Sequence, residues 1–411
     1  MTAIETRTRL QRRLVPLQAG TFASGLLLWL ATEKLFMAEI GFDAAQIGVM
    51  AAAYAVVTPM VEIPSGILAD RWSRKGLLMV AYAALLAATL TGGLSTGVVS
   101  YIASMLFFSI FFALHSGTTE AMLYDTVLEE TGNSERYEAI SGRLRALSSI
   151  ALLAGALAGG WLAAATSPRT TFFATLPLLA LSLAFLAAFR EPRLHRTEQH
   201  PSLPQQVATT YRAVLRNQRL LPVAGYLIFT GVLLMAIWEF NQLWLLQSAA
   251  PVAIYGPFMA LLFLADVAGG LLAGRVSLER PAVLGVVLVL LGGASLLLIA
   301  DVHIAMVTIA MMTILLLLAV VGIYVNRLLQ DGVPSEIRAG VGSGIGAFTW
   351  ILFTPTALGF GALTETRGLQ ASGWLLVGVA VTAGVLLVKI ARDRRQPTAS
   401  IPNRAVERIG V

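Results

Sequence analysis

Five carboxylates stand inside or at the edge of long apolar runs in this sequence: Glu33, Glu62, Glu120, Glu239 and Asp266. A charge in membrane hydrocarbon costs at least about 2.5–3.5 kcal/mol on insertion scales, so each needs water, a counter-ion or a proton. Glu62 lies two turns before Arg71 and is followed by Pro64. A carboxylate so placed can hold a proton and release it when water arrives, which is the chemistry of proton coupling. Asp266 has the same character, and for both the competing role is structural pairing with arginines. Glu120 is either a proton relay or the partner of Arg143 or Arg145. Asp125 is expected to join Arg74 or Arg143 in a charge network. His115 has no second ligand nearby, so no metal site is expected.

Two further groups suit ligand binding. Trp29, Glu33 and Phe36 recur at i, i+4 and i+7, one face of a helix; so do Met235, Glu239 and Gln242, with Trp238 and Asn241 alongside. Indole faces with carboxylates attract lipophilic cations. Trp29, Glu33, Trp238, Glu239, Asn241 and Gln242 are therefore the candidate substrate contacts. The competing reading is a hydrated funnel at the ends of the two segments. Lys34 is adjacent to Glu33 and is not expected to pair with it along a helix. Its ammonium meeting Glu239 would cancel the acidic attraction.

The elements that must carry these residues are apolar helices. Hydrophobic residues make up 57% of the 411 and charged ones only 13%, with mean hydropathy +0.76. A soluble domain carries about 25% charged residues. No charge occurs from Ala146 to Pro168, from Ala339 to Thr364 or from Leu369 to Val388. Each run exceeds or matches the roughly 20 apolar residues that cross a bilayer, which excludes a soluble fold. Hydropathy places helices at 15–38, 45–69, 76–95, 99–124, 140–165 and 170–190, then at 219–248, 252–275, 281–300, 304–327, 339–364 and 369–390.

Charge reports topology here. The pI is 9.8, with 29 Lys and Arg against 23 Asp and Glu. With the amino terminus inside, all the basic residues but Lys34, Arg169 and Arg367 fall on the inner side. That bias places both termini in the cytoplasm and the chain in a bacterial cytoplasmic membrane; it removes the need for a nucleic-acid partner. There are no cysteines, so disulfides and thiolate chemistry are excluded. None of the three lysines follows a glycine, so there is no P-loop, and any uphill work must draw on a gradient or on another subunit. No cofactor is expected.

The chain divides into an amino-terminal six-helix unit over 1–192, a linker over 193–218, a second six-helix unit over 219–396 and a basic tail over 397–411. In the linker Leu203, Val207, Tyr211, Val214 and Leu215 recur at helical spacing beside Arg212 and Arg216, an amphipathic surface helix. The halves echo each other. Ser65-Gly66-Ile67-Leu68-Ala69-Asp70-Arg71 returns as Gly269-Gly270-Leu271-Leu272-Ala273-Gly274-Arg275, and at the same offset Glu62 falls on Asp266. Glu135-Arg136 is echoed by Glu336 and Arg338. Parallel repeats of six helices are the architecture of a rocking two-bundle transporter.

Gly66-Ile67-Leu68-Ala69-Asp70-Arg71-Trp72-Ser73-Arg74-Lys75 resembles the loop between helices 2 and 3 of the major facilitator superfamily, G-x-L-a-D-r-x-G-r-k, with Ser73 in place of the second glycine. The resemblance implies an all-α membrane fold of twelve transmembrane helices in two pseudo-symmetric six-helix bundles. It further implies that Gly66 lets helices 2 and 11 approach and that Asp70 caps a neighbouring helix N-terminus. Arg71 and Arg74 would hold the loop inside and, with Asp125 and Arg143, form the gating set. The run Ala151 to Gly160 is similar to the g-x-x-x-G-P-x-x-G-G pattern of drug exporters, with Ala156 replacing its proline; its small residues either seal a cavity or simply pack. The helix-4 arginine of proton-coupled exporters is absent; its place is near Ala113.

This resemblance implies a monomeric secondary transporter exporting small amphipathic compounds, with cations among the candidates, in exchange for protons. The alternatives are a proton-coupled or facilitative importer of a nutrient, and a non-transporting membrane component or receptor. No nucleophile–base pair or metal cluster suggests an enzyme. Asp70→Asn is expected to cripple transport while the protein stays folded and inserted. Full turnover of that variant in a reconstituted flux assay would reduce the loop to a topology signal.

Overall fold

The computed structural model describes residues 3–71, 73–115, 118–133, 135–192, 220–276, 278–333 and 338–395; side chains are described for these except 3–7, 63–71, 274, 338–340 and 395. The side chains of Gly66, Asp70 and Arg71 thus lie outside the description, as do the linker helix expected over 203–215 and the tail over 397–411. Regular structure among the described residues is helical, which follows from the solvent. A backbone in hydrocarbon must satisfy its own hydrogen bonds, and an α-helix does so within one segment.

The first span is broken. Helix α1 (Ala3–Gly25) leads through a 3₁₀ turn, Leu30–Thr32, into α2 (Glu33–Glu39). Spans two and three are α3 (Ala44–Arg71) and α4 (Arg74–Leu94). The fourth comprises α5 (Val98–His115) and α6 (Thr118–Thr131), followed by α7 (Tyr137–Ala165) and α8 (Pro168–Ala188). The seventh is again interrupted, as α9 (Leu220–Phe240) and α10 (Gln242–Gln247). Then come α11 (Val252–Leu272), α12 (Pro281–Leu297), α13 (Ile304–Gly332), α14 (Arg338–Arg367) and α15 (Leu369–Arg395). Among the described residues eleven helical stretches are long and apolar enough to cross a membrane; α12, 17 residues long, is a further, shorter apolar helix.

Short links make successive spans antiparallel, so the molecule has two ends. The basic end, where α1 begins, carries Arg9, Arg13, Arg74, Lys75, Arg143 and Arg145; the opposite end is called the far end. At the basic end Arg13 binds Glu130 at 2.6 Å and Glu129 at 3.1 Å, and Arg74 binds Asp125 at 2.5 Å. Ser73, standing where the resembled pattern has glycine, has a job. Its hydroxyl accepts from the Gly76 N–H at 2.8 Å, capping α4, and donates to Glu191 at 2.7 Å. A serine cap is worth about 0.5–2 kcal/mol.

The halves meet along two helix pairs that mirror each other, α3 with α14 and α7 with α11. The closest approaches are at the far end and depend on glycine. A Cβ on Gly361 would lie 2.6 Å from the Ala44 carbonyl oxygen, and one on Gly256 would lie 2.7 Å from that of Ala156. Of the small-residue run on α7, Gly155 and Gly159 receive the backbone of Leu26–Leu28 within the first half, whereas Gly160 meets Gly256 across the interface. Helix α3 is further capped across the interface, its Ala44 N–H donating to Glu365 of α14 at 3.2 Å.

Gly256→Val is therefore expected to prevent the far ends from meeting while leaving each half intact. Overpacking of about 1–3 kcal/mol would shift the closed population roughly 5- to 150-fold. Because the chain lacks cysteine, spin labels at Thr96→Cys and Thr366→Cys would report it as a lengthened far-end distance. An unchanged distance would show that the pair tolerates a side chain.

Candidate functional site

The break in the first span exposes backbone groups, and side chains from elsewhere satisfy them. The Leu28 N–H donates to Thr175 at 3.2 Å. The Gln242 amide, at the start of α10 in the other half, donates to the Leu30 carbonyl at 3.0 Å and accepts from the Lys34 N–H at 3.1 Å. One side chain thus brackets both sides of the 3₁₀ turn and ties span one to span seven. Asn241, at the break between α9 and α10, donates to the carbonyls of Ile237 and Trp238 at 2.9 and 2.8 Å.

Beside this bracket lies a buried charge cluster. The Lys34 ammonium is 2.6 Å from Glu239 Oε1 and 3.2 Å from Glu33 Oε2. The hydroxyl of Tyr54 on α3 donates to Glu239 Oε2 at 2.6 Å, and that of Tyr101 on α5 donates to Glu33 Oε1 at 2.9 Å. All four carboxylate oxygens have a donor. Relative exposure is 1% for Lys34 and 8% for each glutamate, so the cluster is buried and does not form the hydrated funnel of the competing reading. Charges so buried are tolerated only with such complete pairing.

The pairing expectation for Lys34 also changes. Its ammonium meets Glu239, and it meets Glu33 as well, because the flexible lysine stem bends across the roughly 100° separating adjacent helical positions. The ammonium fills the space where a cation would sit between Glu33 and Glu239. Trp29 is likewise displaced from the expected set. The 3₁₀ turn begins just after it, so the helical spacing to Glu33 fails. Its indole instead stacks on Phe172, with centroids 5.2 Å apart, and donates to Thr89 at 3.3 Å inside the first half. Trp238 is half-buried and stacks on Phe263 at 4.8 Å.

Nearer the middle of the spans, rings from both halves converge. Tyr54 contacts Trp350 edge-on at 6.1 Å and Phe353 at 6.4 Å; Phe112 meets Trp350 edge-on at 6.1 Å. Phe112 is 48% exposed, and Phe353 is fully buried. The sequence gives one signal for this layer: Tyr54, Thr58 and Glu62 share a face at i, i+4 and i+8. Nothing in the sequence joins that face to Trp350.

Towards the basic end, Glu120 pairs with Arg145 rather than Arg143, with side chains 51% and 72% exposed. Charges this open face water rather than hydrocarbon. Glu62 on α3, Asp266 on α11 and Arg143 on α7 are exposed too. Asp125 takes Arg74 as its partner, not Arg143. His115 packs against Tyr82 and Phe111, 5.9 and 5.1 Å between centroids. Among the described residues no three His, Cys, Asp or Glu side chains are grouped to hold a metal.

Solved structures share this arrangement across nearly their whole length. The nucleoside transporter NupG superposes with a TM-score of 0.71 at 15% identity, covering 94% of this chain and 99% of its own. A POT family transporter in complex with 5-aminolevulinic acid gives 0.71 at 13%, covering 94% and 97%. A D-xylose–proton symporter gives 0.66 at 15%, covering 95% and 98%. At such identity the likeness is one of fold. No curated protein matches the sequence significantly. The family model of the Major Facilitator Superfamily matches residues 16–359, most of the chain. On that match the chain belongs to the Major Facilitator Superfamily and is a membrane transporter rather than an enzyme.

Proposed function

We propose that the protein exports small amphipathic compounds in exchange for protons, moving them through the space between its halves. The observation that carries this reading is the aromatic layer of Tyr54, Phe112, Trp350 and Phe353. It is built from both halves and lies directly beneath a far end closed by the Lys34–Glu239 contact. Flat apolar rings suit a substrate with an aromatic or apolar body, each well-placed ring contact adding about 0.5–1.5 kcal/mol beyond area burial. Glu120 and Arg145 offer one charge of each sign to the polar part of such a substrate. Lys34 already fills the space between Glu33 and Glu239, so the site favours amphipathic compounds in general over cations alone.

In this reading the far end opens and closes as the halves rock, and the basic end does the converse. The arginine-rich end is cytoplasmic, as the charge bias of a bacterial cytoplasmic membrane protein requires. Glu62 and Asp266, matched between the halves, together with Glu120, pass the proton towards the basic end. Arg74 with Asp125, Arg143, and the loop residues Gly66, Asp70 and Arg71 govern how that end closes.

The test is flux in proteoliposomes containing oriented protein, with a fluorescent amphipathic dye and an imposed pH gradient. Dye is expected to move uphill against a downhill proton flow. Trp350→Ala is expected to weaken dye binding about tenfold, the effect of losing one to two ring contacts. Dye moving in the same direction as the protons would replace exchange by symport and favour nutrient import. Absence of both binding and flux for amphipathic compounds, with uptake of a polar nutrient, would overturn the substrate class.

A further inference from the structure

The buried cluster at the far end does not balance. Glu33 and Glu239 bring two carboxylates and Lys34 one ammonium, so the ionised cluster carries a net negative charge. The groups packed around it are the neutral hydroxyls of Tyr54 from α3 and Tyr101 from α5, and the amide of Gln242 from α10. Among the described residues, the charged groups that act on Glu33 are Lys34 and Glu239, and those that act on Lys34 are the two glutamates. Arg169 of α8 is committed elsewhere, to the carbonyls of Gly93 and Ser95 at 2.6 and 2.9 Å, with its guanidinium 5.0 Å from the Phe36 ring. An uncompensated charge held out of water is costly, and one proton removes it.

The cluster is also divided between the halves. Glu33, Lys34 and Tyr101 belong to the first six spans, and Glu239 and Gln242 to the last six. Separating the far ends breaks the Lys34–Glu239 and Tyr54–Glu239 contacts but leaves Lys34–Glu33 and Tyr101–Glu33 intact. The first half then keeps a neutral pair, and Glu239 stands alone in far-side water, where its charge is solvated. Closure carries that charge into the cluster.

We propose that closing the far end binds one proton, taken from far-side water and held as a carboxyl O–H on one of the two glutamates, Glu33 or Glu239, beside Lys34. Opening returns it to solution unless it has first passed inward. The proposal rests on the alternating-access reading above and adds to it a proton-binding site.

The experiment uses the full chain in lipid nanodiscs, spin-labelled at Thr96→Cys and Thr366→Cys, with far-end distances measured by double electron–electron resonance across pH. A proton bound only in the closed state raises the ratio of closed to open by up to about tenfold for each pH unit lowered. The parent protein is expected to show this slope. Glu33→Gln and Glu239→Gln should each flatten it, because either leaves one carboxylate to one ammonium. Lys34→Gln should steepen it towards a hundredfold, since two carboxylates must then be neutralised, an outcome that a merely structural lysine would not give. A pH-independent parent, or a tenfold slope kept by both Glu33→Gln and Glu239→Gln, overturns the proton site. If substrate still moves the labels in either case, alternating access stands without it. Labels that never move with pH or substrate overturn both.

Discussion

The far half of the molecule is organised by the need to satisfy polar groups that membrane hydrocarbon will not. The first span is broken between Gly25 and Glu33, and this releases backbone donors and acceptors that no lipid can meet. Thr175 and Gln242 meet them, and Gln242 reaches from the other half of the chain to do so. Once span seven is drawn against span one, Glu239 is brought to Lys34, and Tyr54 and Tyr101 supply the remaining donors. The closed far end is the sum of these obligations, with glycine pairs on α3–α14 and α7–α11 allowing the backbones near enough for them to be met.

What the sequence made legible follows from strong, local signals. Charge-free runs longer than a bilayer crossing have one physical meaning, so the helices appear close to their expected positions. The internal echo between residues 65–71 and 269–275 is likewise local, and the mirrored helix pairs follow from it. The interruption of span one was not legible. Leu26–Trp29 is as apolar as its neighbours, and it is held open by Gly155, Gly159, Thr175 and Gln242, all remote in sequence. That single break misplaced Trp29, because spacing arguments assume an unbroken helix. The contact of Lys34 with Glu33 escaped for a related reason: the shared buried destination of two flexible side chains outweighs their angular separation on the helix.

The aromatic layer shows another limit. Tyr54 is unremarkable on α3, as is Trp350 on α14, and they become a pair only because the two halves pack. Side chains that line an interface between repeats are specified by neither repeat alone. By contrast, Ser73 could be judged locally. A departure from the resembled loop pattern turns out to supply a helix cap and a tie to Glu191, so the loop gains a hydrogen bond where it loses a glycine.

The Gln242 bracket has a further consequence, which concerns time rather than energy. The Lys34 amide hydrogen points at a side chain that leaves whenever the halves separate, while most amides of the spans are held by bonds within one helix. Its exchange with deuterated solvent therefore advances only during open intervals. In the alternating-access reading proposed above, a single backbone position would thus record the cumulative dwell in a far-open form, without spin label or substrate.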